Sequence, residues 1–282
     1  VGPGDNVIIP SYVCTALLNA VRYVGATPRF ADIDPDDLNI SPDDVRRKVT
    51  KKTRAVIVPH MFGLPARVRE IQRAGVPVIE DCAQAVGAKI GEQPVGTFGD
   101  IAIFSFYATK VMTTCGEGGM VVTRNRRWSE AIRQLRDYDE KNDLRTRYNY
   151  KMTDAAAAMG SAQLAKLGGF IRKRRAIAKR YDAAFAGKEF FIDRAGSGSN
   201  IYFRYLVRIR RGQAEFLRRA AAHAVGVKRP VFRPLHAYFG ISDRQLPHTA
   251  SAWRSIFSIP IYPSLPEKDV DTVISFLLNY PA

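Results

Sequence analysis

The sequence predicts an α/β fold, a mostly parallel β-sheet with helices on both faces, together with a smaller α+β domain. Short apolar runs such as residues 76–79 and 101–106 have the length of strands and are bounded by glycine and polar residues, which is typical of buried parallel strands. Segments with apolar residues at helical spacing separate these runs. Strands that alternate with helices along a chain form parallel sheets covered on both faces.

The predicted strands of the first half share a short apolar run that ends at turn residues. They are residues 7–9, 29–33, 55–58, 76–79, 101–106 and 120–123. The last of these is predicted to close the sheet as a hairpin partner of 101–106. A helix is predicted at 15–24, and another begins at Ser41, whose hydroxyl can cap a first turn that carries Pro42.

After a helix at 129–136 and a polar stretch at 137–147, a long helix is predicted from Thr153 to about Phe185. Gly168-Gly169 should bend it or divide it in two, because each glycine costs up to about 1 kcal/mol relative to alanine. The dense basic cluster at 172–180 is predicted to be a solvated face of this helix.

The composition changes near residue 187. We therefore divide the chain into a large domain, residues 1–186, which includes the long helix, and a small domain, residues 187–282. The predicted elements of the small domain are a flexible loop at 196–199, a strand at 202–209, a helix at 214–224, an extended segment from 231, a strand at 256–261 and a helix at 267–278.

The composition also limits the functional class. No apolar stretch approaches the roughly 20 residues that cross a bilayer, and the opening residues do not resemble a signal peptide, so we expect a cytoplasmic protein without membrane contact. The three cysteines cannot all pair, and their spacing does not suit a metal site. The net charge of +16 is spread along the chain without a nucleic-acid-binding motif, so it favours an anionic small molecule over nucleic acid.

Three polar side chains are predicted to lie at one edge of the sheet. Asp81 ends one strand, and Ser105 and Lys110 lie at and after the end of the next. Ligands of open α/β sheets bind outside the carboxyl ends of strands. A lysine can form a Schiff base with a carbonyl cofactor, and a carboxylate can keep a pyridinium nitrogen protonated. The residues alone leave open that Asp81 caps a helix and that Lys110 is a solvated loop residue.

Five motifs, in their order and spacing, resemble the DegT/DnrJ/StrS-type family of sugar aminotransferases, which depend on pyridoxal 5'-phosphate (PLP) and have fold type I. The motifs are Glu-Asp-Cys-Ala-Gln-Ala at 80–85, Gly-Thr-Phe-Gly-Asp at 96–100, Phe-Ser-Phe at 104–106, Thr-Lys at 109–110 and Gly-Glu-Gly-Gly at 116–119. The resemblance extends from Val1 to the last residues of the chain.

The resemblance implies roles for individual residues. Lys110 would be the catalytic Schiff-base lysine, and Asp81 would partner the pyridine nitrogen. Gln84 would lie near the ring hydroxyl, with Ala83 beside it in the cofactor site, and Ser105 would bind the cofactor phosphate.

In the same family an asparagine that matches Asn149 reaches the cofactor phosphate of the neighbouring subunit, which implies a homodimer with shared active sites. The family usually has arginine where this chain has Lys151. A second departure is Cys14, which stands where many relatives have an aromatic residue that stacks on the cofactor; Tyr12 nearby is predicted to be a core residue.

Three further residues are assigned to the substrate side: His236, in a Pro-Leu-His string that resembles the family's, His60, after a strand end, and Tyr107, beside Ser105. A single histidine in a proline-flanked loop is more often structural, and this alternative stays open for both histidines. Full-length relatives begin before Val1 with a Ser-Gly-Thr turn that contributes to the phosphate site, so the chain is expected to be an N-terminally incomplete member.

The expected function is transfer of an amino group, from glutamate, to a keto-sugar that is linked to a nucleotide. One alternative is a PLP-dependent sugar dehydratase, although relatives with that chemistry carry histidine at the position of Lys110. The other is a non-catalytic homologue with weak or no PLP binding.

Overall fold

The computed structural model describes residues 1–194 and 198–280, so the first part of the predicted loop at 196–199 lies outside the described residues. The strands of the first half are β1 (Asn6–Pro10), β2 (Thr27–Ala31), β3 (Thr53–Pro59), β4 (Val78–Asp81), β5 (Lys89–Ile90), β6 (Gln93–Pro94), β7 (Ile101–Ser105) and β8 (Gly119–Thr123). Six of them form the central sheet, and β5 and β6 form a separate small hairpin.

The central sheet has the order β2-β1-β3-β4-β7-β8. The first five strands are parallel, and β8 is antiparallel to β7. This confirms the predicted parallel sheet and its closing hairpin strand. The register pairs Asp81 with Pro59 of β3 on one side and with Ile103 of β7 on the other, so the carboxyl ends of three adjacent strands form one edge.

Helices cover both faces of this sheet. They are α1 (Thr15–Tyr23), α2 (Pro42–Lys48), α3 (Val68–Gln72), α4 (Arg126–Arg136) and α5 (Asp154–Phe185). Side chains of one strand alternate between the faces, so Ile9 packs in the cluster that contains α1 residues, whereas Ile8 packs in the cluster with α2 and α3 residues. The predicted cap of α2 is present, with the Ser41 hydroxyl accepting the Asp44 amide at 3.3 Å.

The long helix α5 continues through Gly168 and Gly169, so the predicted division into two helices is wrong. Tertiary contacts stabilise the helix, because Leu167 and Ile171 are buried against the residues that follow β4. The helix propensities of its residues do not include this contribution. The energy of these contacts outweighs the small cost of two glycines.

The predicted solvated face at 172–180 is also wrong for one of its arginines. Arg174 is buried, and its Nη1 donates to the carbonyl oxygens of Tyr202, Phe203 and Ile261 at 3.1, 3.3 and 2.8 Å. Burial, with a smaller effect of the Arg204 charge, lowers the pKa of Arg174 to about 10. These hydrogen bonds give partners to carbonyl groups of residues that lie outside the strands. They also attach α5 to the C-terminal part of the chain.

The C-terminal part contains the antiparallel strands β9 (Tyr205–Arg208) and β10 (Ile256–Ile259), and the helices α6 (Gln213–Ala222), α7 (Pro247–Ser255) and α8 (Glu267–Leu278). The segment predicted to be extended from Val231 instead leads into a short 3-10 helix, Leu235–Phe239. In the described part of the chain, no helix combines the length and the apolar character needed to cross a membrane.

Candidate active site

The edge formed by the carboxyl ends of β4 and β7 carries the predicted site. Asp81 is the last residue of β4, and Ser105 is the last residue of β7. Lys110 lies in the loop that connects β7 to β8, where its amide donates to the Tyr107 carbonyl at 2.9 Å. The Thr114 amide closes this loop on the Phe106 carbonyl at 3.1 Å. The local chain path therefore returns Lys110 to the edge where Asp81 ends.

Asp81 is buried, with 8% of its surface exposed. Its Oδ1 accepts the Ala83 amide at 2.9 Å, whereas Oδ2 accepts no hydrogen bond from the described residues. Burial raises the pKa of this carboxyl above its ordinary value, and the Ala83 amide and the charge of Lys110 offset part of that rise. A buried carboxyl with one unused oxygen is suited to a cationic partner.

Lys110 is partly buried, and its Nζ lies 5.7 Å from the centre of the Phe203 ring. Among the described residues, no carboxylate forms an ion pair with this amine. Its charge acts to lower the pKa of the Asp81 carboxyl, against the larger effect of burial. The amine and the carboxyl that the motifs singled out thus belong to the segments at the carboxyl ends of two adjacent strands.

Three other predicted residues surround this pair. The Gln84 Oε1 accepts the Phe62 amide at 2.9 Å, which fixes the direction of its side chain. Tyr107 is exposed on the loop after β7, and its amide lies 3.4 Å from the Ser105 hydroxyl. The Ala83 amide holds Asp81, as described above. All three therefore lie at the same edge of the sheet.

The structure does not place His60 where a substrate could reach it. Its side chain is fully buried; Nδ1 accepts the Ala66 amide at 2.9 Å, and Nε2 donates to the Glu80 carboxylate at 3.0 Å. Its backbone amide donates to the Asp81 carbonyl at 3.0 Å. The substrate-side prediction for His60 is wrong, because both ring nitrogens are used inside the core.

The same correction applies to His236, whose side chain is also fully buried. Its Nδ1 lies 2.7 Å from the Ser11 hydroxyl, and its Nε2 lies 3.0 Å from Asp243 Oδ1. These three residues resemble a serine–histidine–aspartate arrangement, but Ser11 is completely buried, so no substrate can approach its hydroxyl. The cluster instead joins the end of β1 to the C-terminal part of the chain.

Glu80 is a residue of the site region that the sequence did not single out by itself. Its Oε1 accepts the amides of Phe98 and Gly99 at 2.8 and 2.6 Å, and its Oε2 accepts the Gly96 amide at 2.8 Å besides His60. Burial acts to raise the pKa of Glu80, but these hydrogen bonds outweigh it and lower the pKa below its ordinary value. The motif at 96–100 thus forms a cage that anchors the strand end before Asp81.

Asn149 is exposed in a segment without regular secondary structure beside the end of α4, where the Tyr148 and Tyr150 amides donate to the Leu135 and Arg136 carbonyls at 2.9 and 3.0 Å. In the described residues it forms no hydrogen bond with Asp81, Ser105 or Lys110. The described contacts therefore do not connect Asn149 to these three residues.

The two residues near the family's stacking position differ in exposure. Tyr12 is completely buried, which confirms that it is a core residue, and its hydroxyl has no hydrogen-bond partner in the described structure. Cys14 is exposed just before α1.

Comparison with known proteins bears on these observations. The model of the DegT/DnrJ/EryC1/StrS aminotransferase family matches residues 1–278.

The chain belongs to this family.

Curated relatives and solved structures agree with the family assignment. GDP-perosamine synthase of Escherichia coli O157:H7 is 35% identical over 286 residues, which cover 96% of this chain and 77% of the relative. The UDP-N-acetyl-3-dehydro-alpha-D-glucosamine 3-aminotransferase of Acidithiobacillus ferrooxidans is 31% identical, with 98% and 78% covered. The structure of the aminotransferase TlmJ from Streptoalloteichus hindustanus matches with a TM-score of 0.90 and 32% identity, with 98% and 79% covered.

Family membership makes the chain an aminotransferase, and the cofactor of this family is PLP. The residues at the edge fit that cofactor. Lys110 offers an amine without an ion-pair partner among the described residues, and Asp81 offers a buried carboxylate oxygen without a hydrogen-bond donor. A pyridinium nitrogen requires such an acceptor, and a cofactor aldehyde requires such an amine.

Proposed function

We propose that this aminotransferase moves an amino group from an amino-acid donor, glutamate, to a keto-sugar carried by a nucleoside diphosphate. Relatives are named for GDP-linked, UDP-linked and dTDP-linked sugars, and a net charge of +16 favours an anionic substrate. The observation that carries the proposal is that the buried Asp81 ends β4, while Lys110 lies in the loop that leaves the end of the adjacent parallel strand β7.

Lys110 has two roles in this proposal. Its amine would hold the cofactor covalently between reactions, and the free amine would move a proton to and from the donor Cα. When bound, PLP supplies an electron-accepting ring that stabilises the charge left on that carbon. The Phe203 ring beside Nζ shields the amine from water on one side.

Asp81 keeps the ring nitrogen protonated through its ionised carboxylate, while the Ala83 amide fixes the orientation of that carboxylate. Gln84 presents its amide NH₂ group to the ring hydroxyl, because its Oε1 is already bonded to Phe62. Ser105 donates its hydroxyl to the phosphate, as its position at the end of β7 allows.

We also propose that two copies of the chain share their active sites, with Asn149 of each copy reaching the phosphate site of the other. Large exposed apolar side chains occur on β8, on α5 and next to Asn149 in the sequence; they are Met120, Val121, Met159, Leu164 and Tyr150. Contact with a second copy would bury apolar side chains of this kind.

In this proposal residues 1–186 form the cofactor domain, and residues 187–282 form a smaller domain that contributes Phe203 to the site. The proposed compartment is the cytoplasm, and the three free cysteines suit its reducing conditions.

The test is transfer of label from ¹⁵N-glutamate to a panel of GDP-, UDP- and dTDP-linked keto-sugars, followed by mass spectrometry. The PLP-loaded protein should label at least one acceptor, and Lys110→Ala should label none. Loss of a sugar hydroxyl without incorporation of nitrogen would support the dehydratase and overturn the proposal. Absence of any product with every acceptor would also count against it.

A further inference from the structure

Arg204 is a partly buried cation that the described structure leaves almost unpaired. Its guanidinium forms one long hydrogen bond, from Nη1 to the Ser258 hydroxyl at 3.5 Å, and no ion pair with the described residues. Arg174 provides a contrast, because its Nη1 is bonded to three carbonyl oxygens. A guanidinium has five N–H donors, so Arg204 retains most of its capacity to bind a ligand.

The position of Arg204 connects it to the active site through two routes. Its guanidinium lies 5.5 Å from the centre of the Phe203 ring, and the Lys110 amine lies 5.7 Å from the same centre. The two cations thus lie near the same aromatic ring. In addition, the Arg204 amide donates to the Phe62 carbonyl at 3.3 Å, and the Phe62 amide donates to Gln84.

Arg204 is one of three arginines whose charges act on the buried phenol of Tyr12. Burial raises the pKa of that phenol above its ordinary value, and the charges of Arg229, Arg194 and Arg204 offset part of the rise. Burial also lowers the pKa of Arg204 itself. A cation that is taken out of water is unfavourable unless an anion or several acceptors compensate it. The described residues give the Arg204 guanidinium neither an anion nor several acceptors. A bound anion would therefore compensate its charge.

We propose that Arg204 binds the carboxylate of the amino donor and of the keto acid left after transfer, an assignment that rests on the proposed function. A carboxylate can accept two parallel hydrogen bonds from a guanidinium, which gives both affinity and orientation. The acceptor's diphosphate has the same anionic chemistry. The donor carboxylate is favoured because it lies close to the reacting amino group, and Arg204 shares the Phe203 ring with Lys110.

The test compares Arg204→Gln and Arg204→Lys with Arg208→Gln, a matched control on β9 that is also partly buried. Calorimetric titration of the purified proteins with 2-oxoglutarate and with inorganic pyrophosphate measures anion binding without catalysis. Arg204→Gln should weaken 2-oxoglutarate binding about tenfold to a hundredfold, the loss expected for hydrogen bonds to a charged group. Arg204→Lys should retain part of the affinity, and Arg208→Gln should retain all of it.

The outcomes separate the two anions. If Arg204→Gln weakens pyrophosphate and leaves 2-oxoglutarate unchanged, Arg204 belongs to the acceptor's diphosphate and the assignment to the donor is overturned. If neither titration changes, or if Arg208→Gln has the same effect, the anion site itself is overturned. Matching thermal midpoints of Arg204→Gln and Arg208→Gln exclude loss of folding as the cause.

A second readout uses the reaction with glutamate alone, followed by the visible absorbance of lysine-bound cofactor in single-turnover mixing. Arg204→Gln should raise the glutamate concentration for half-maximal rate about tenfold or more, while the rate at saturation changes only a few-fold. If the wild-type protein binds no cofactor at Lys110, the proposed function fails. The calorimetric comparison then still decides whether Arg204 binds a carboxylate.

Discussion

Replacing Glu80 with glutamine alters a buried cage that holds the strand end before Asp81. The Glu80 carboxylate accepts four hydrogen bonds: two at Oε1, from Phe98 and Gly99, and two at Oε2, from Gly96 and His60. A glutamine amide keeps one acceptor oxygen but presents an NH₂ group to the other pair. Two buried donors therefore lose their partner in the variant.

The magnitude follows from those two donors. Each buried donor without a partner costs about 1–3 kcal/mol, so Glu80→Gln should lower the free energy of unfolding by about 2–6 kcal/mol. His60 cannot relieve the loss by changing its tautomer, because its Nδ1 must remain an acceptor for the Ala66 amide at 2.9 Å. For a chain of this length the thermal midpoint should fall by roughly 4–12 °C.

The effect should also depend on pH. The pKa of Glu80 is lowered in the folded state, since its hydrogen bonds outweigh its burial. A group with a lowered pKa contributes stability that is fully present above its unfolded value, 4.5, and is lost as the pH falls through the folded value. The midpoint difference between wild type and Glu80→Gln should thus be largest above about pH 5 and should narrow in acid.

Differential scanning calorimetry between about pH 3 and 8 measures the midpoint difference and its change with pH. Glu130→Gln is the control, because Glu130 is exposed on α4 in an ion pair with Arg126, and such a pair is worth about 1 kcal/mol or less. Equal midpoints for the two variants at neutral pH would refute the reasoning. A midpoint difference that does not narrow in acid would show that the charge of Glu80 is not responsible.

Three further predictions concern the long helix, the cofactor and the dimer. Gly168→Ala and Gly169→Ala should each raise the free energy of unfolding, measured by urea denaturation, by roughly 0.5–1 kcal/mol. Both positions are helical, and the nearest atoms to an added Cβ, at 3.5 and 3.8 Å, belong to a flexible arginine. A decrease in the free energy of unfolding would contradict a continuous helix. The affinity of the wild-type protein for PLP, measured by fluorescence titration, should fall as the pH drops through the raised pKa of Asp81, because only the carboxylate pairs with a pyridinium. Asp81→Asn should bind PLP more weakly, and its affinity should lack this pH dependence. Identical pH profiles for the two proteins would contradict the role of Asp81. Mixing the impaired variants Lys110→Ala and Asn149→Ala should restore up to about a quarter of the wild-type activity through hybrid dimers with one intact site; a mixture that stays inactive would contradict shared sites.

The positions of the central strands and their mostly parallel pairing could be predicted because the signals for them are local. Short apolar runs and turn residues mark each strand, and the alternation with helices implies parallel pairing. The observed strands differ from the predicted ones mainly at their ends, as in β3, which spans Thr53–Pro59 where 55–58 was predicted. The continuity of α5 could not be predicted, because it depends on contacts of Leu167 and Ile171 with residues more than 60 positions earlier in the chain.

The positions of Asp81 and Lys110 at the sheet edge followed from the strand pattern and the motifs. The buried positions of His60 and His236 did not follow from the sequence. The environment of His236 is set by Ser11, which is 225 residues away in sequence. The orientation of the His60 ring is fixed by Glu80, and the motif at 96–100 forms the cage around the Glu80 carboxylate. The glycines of that motif were a visible signal of close backbone approach, but the sequence does not identify the carboxylate that they enclose.

Arg204 was not identified from the sequence at all. It lies in an alternating segment next to Phe203, and that pattern indicates only a half-buried strand. Its importance depends on a contact that the sequence does not encode locally, since Phe203 meets both Arg204 and the Lys110 amine in the folded chain.

The central claim is that the amine of Lys110 carries the cofactor. The direct measurement is reduction of the PLP-loaded protein with sodium borohydride, followed by proteolysis and peptide mass spectrometry. The reduced cofactor should be found on the peptide that contains Lys110, and the Lys110→Ala protein treated in the same way should carry none. Cofactor fixed to a different lysine, or to no residue at saturating PLP, would contradict the account.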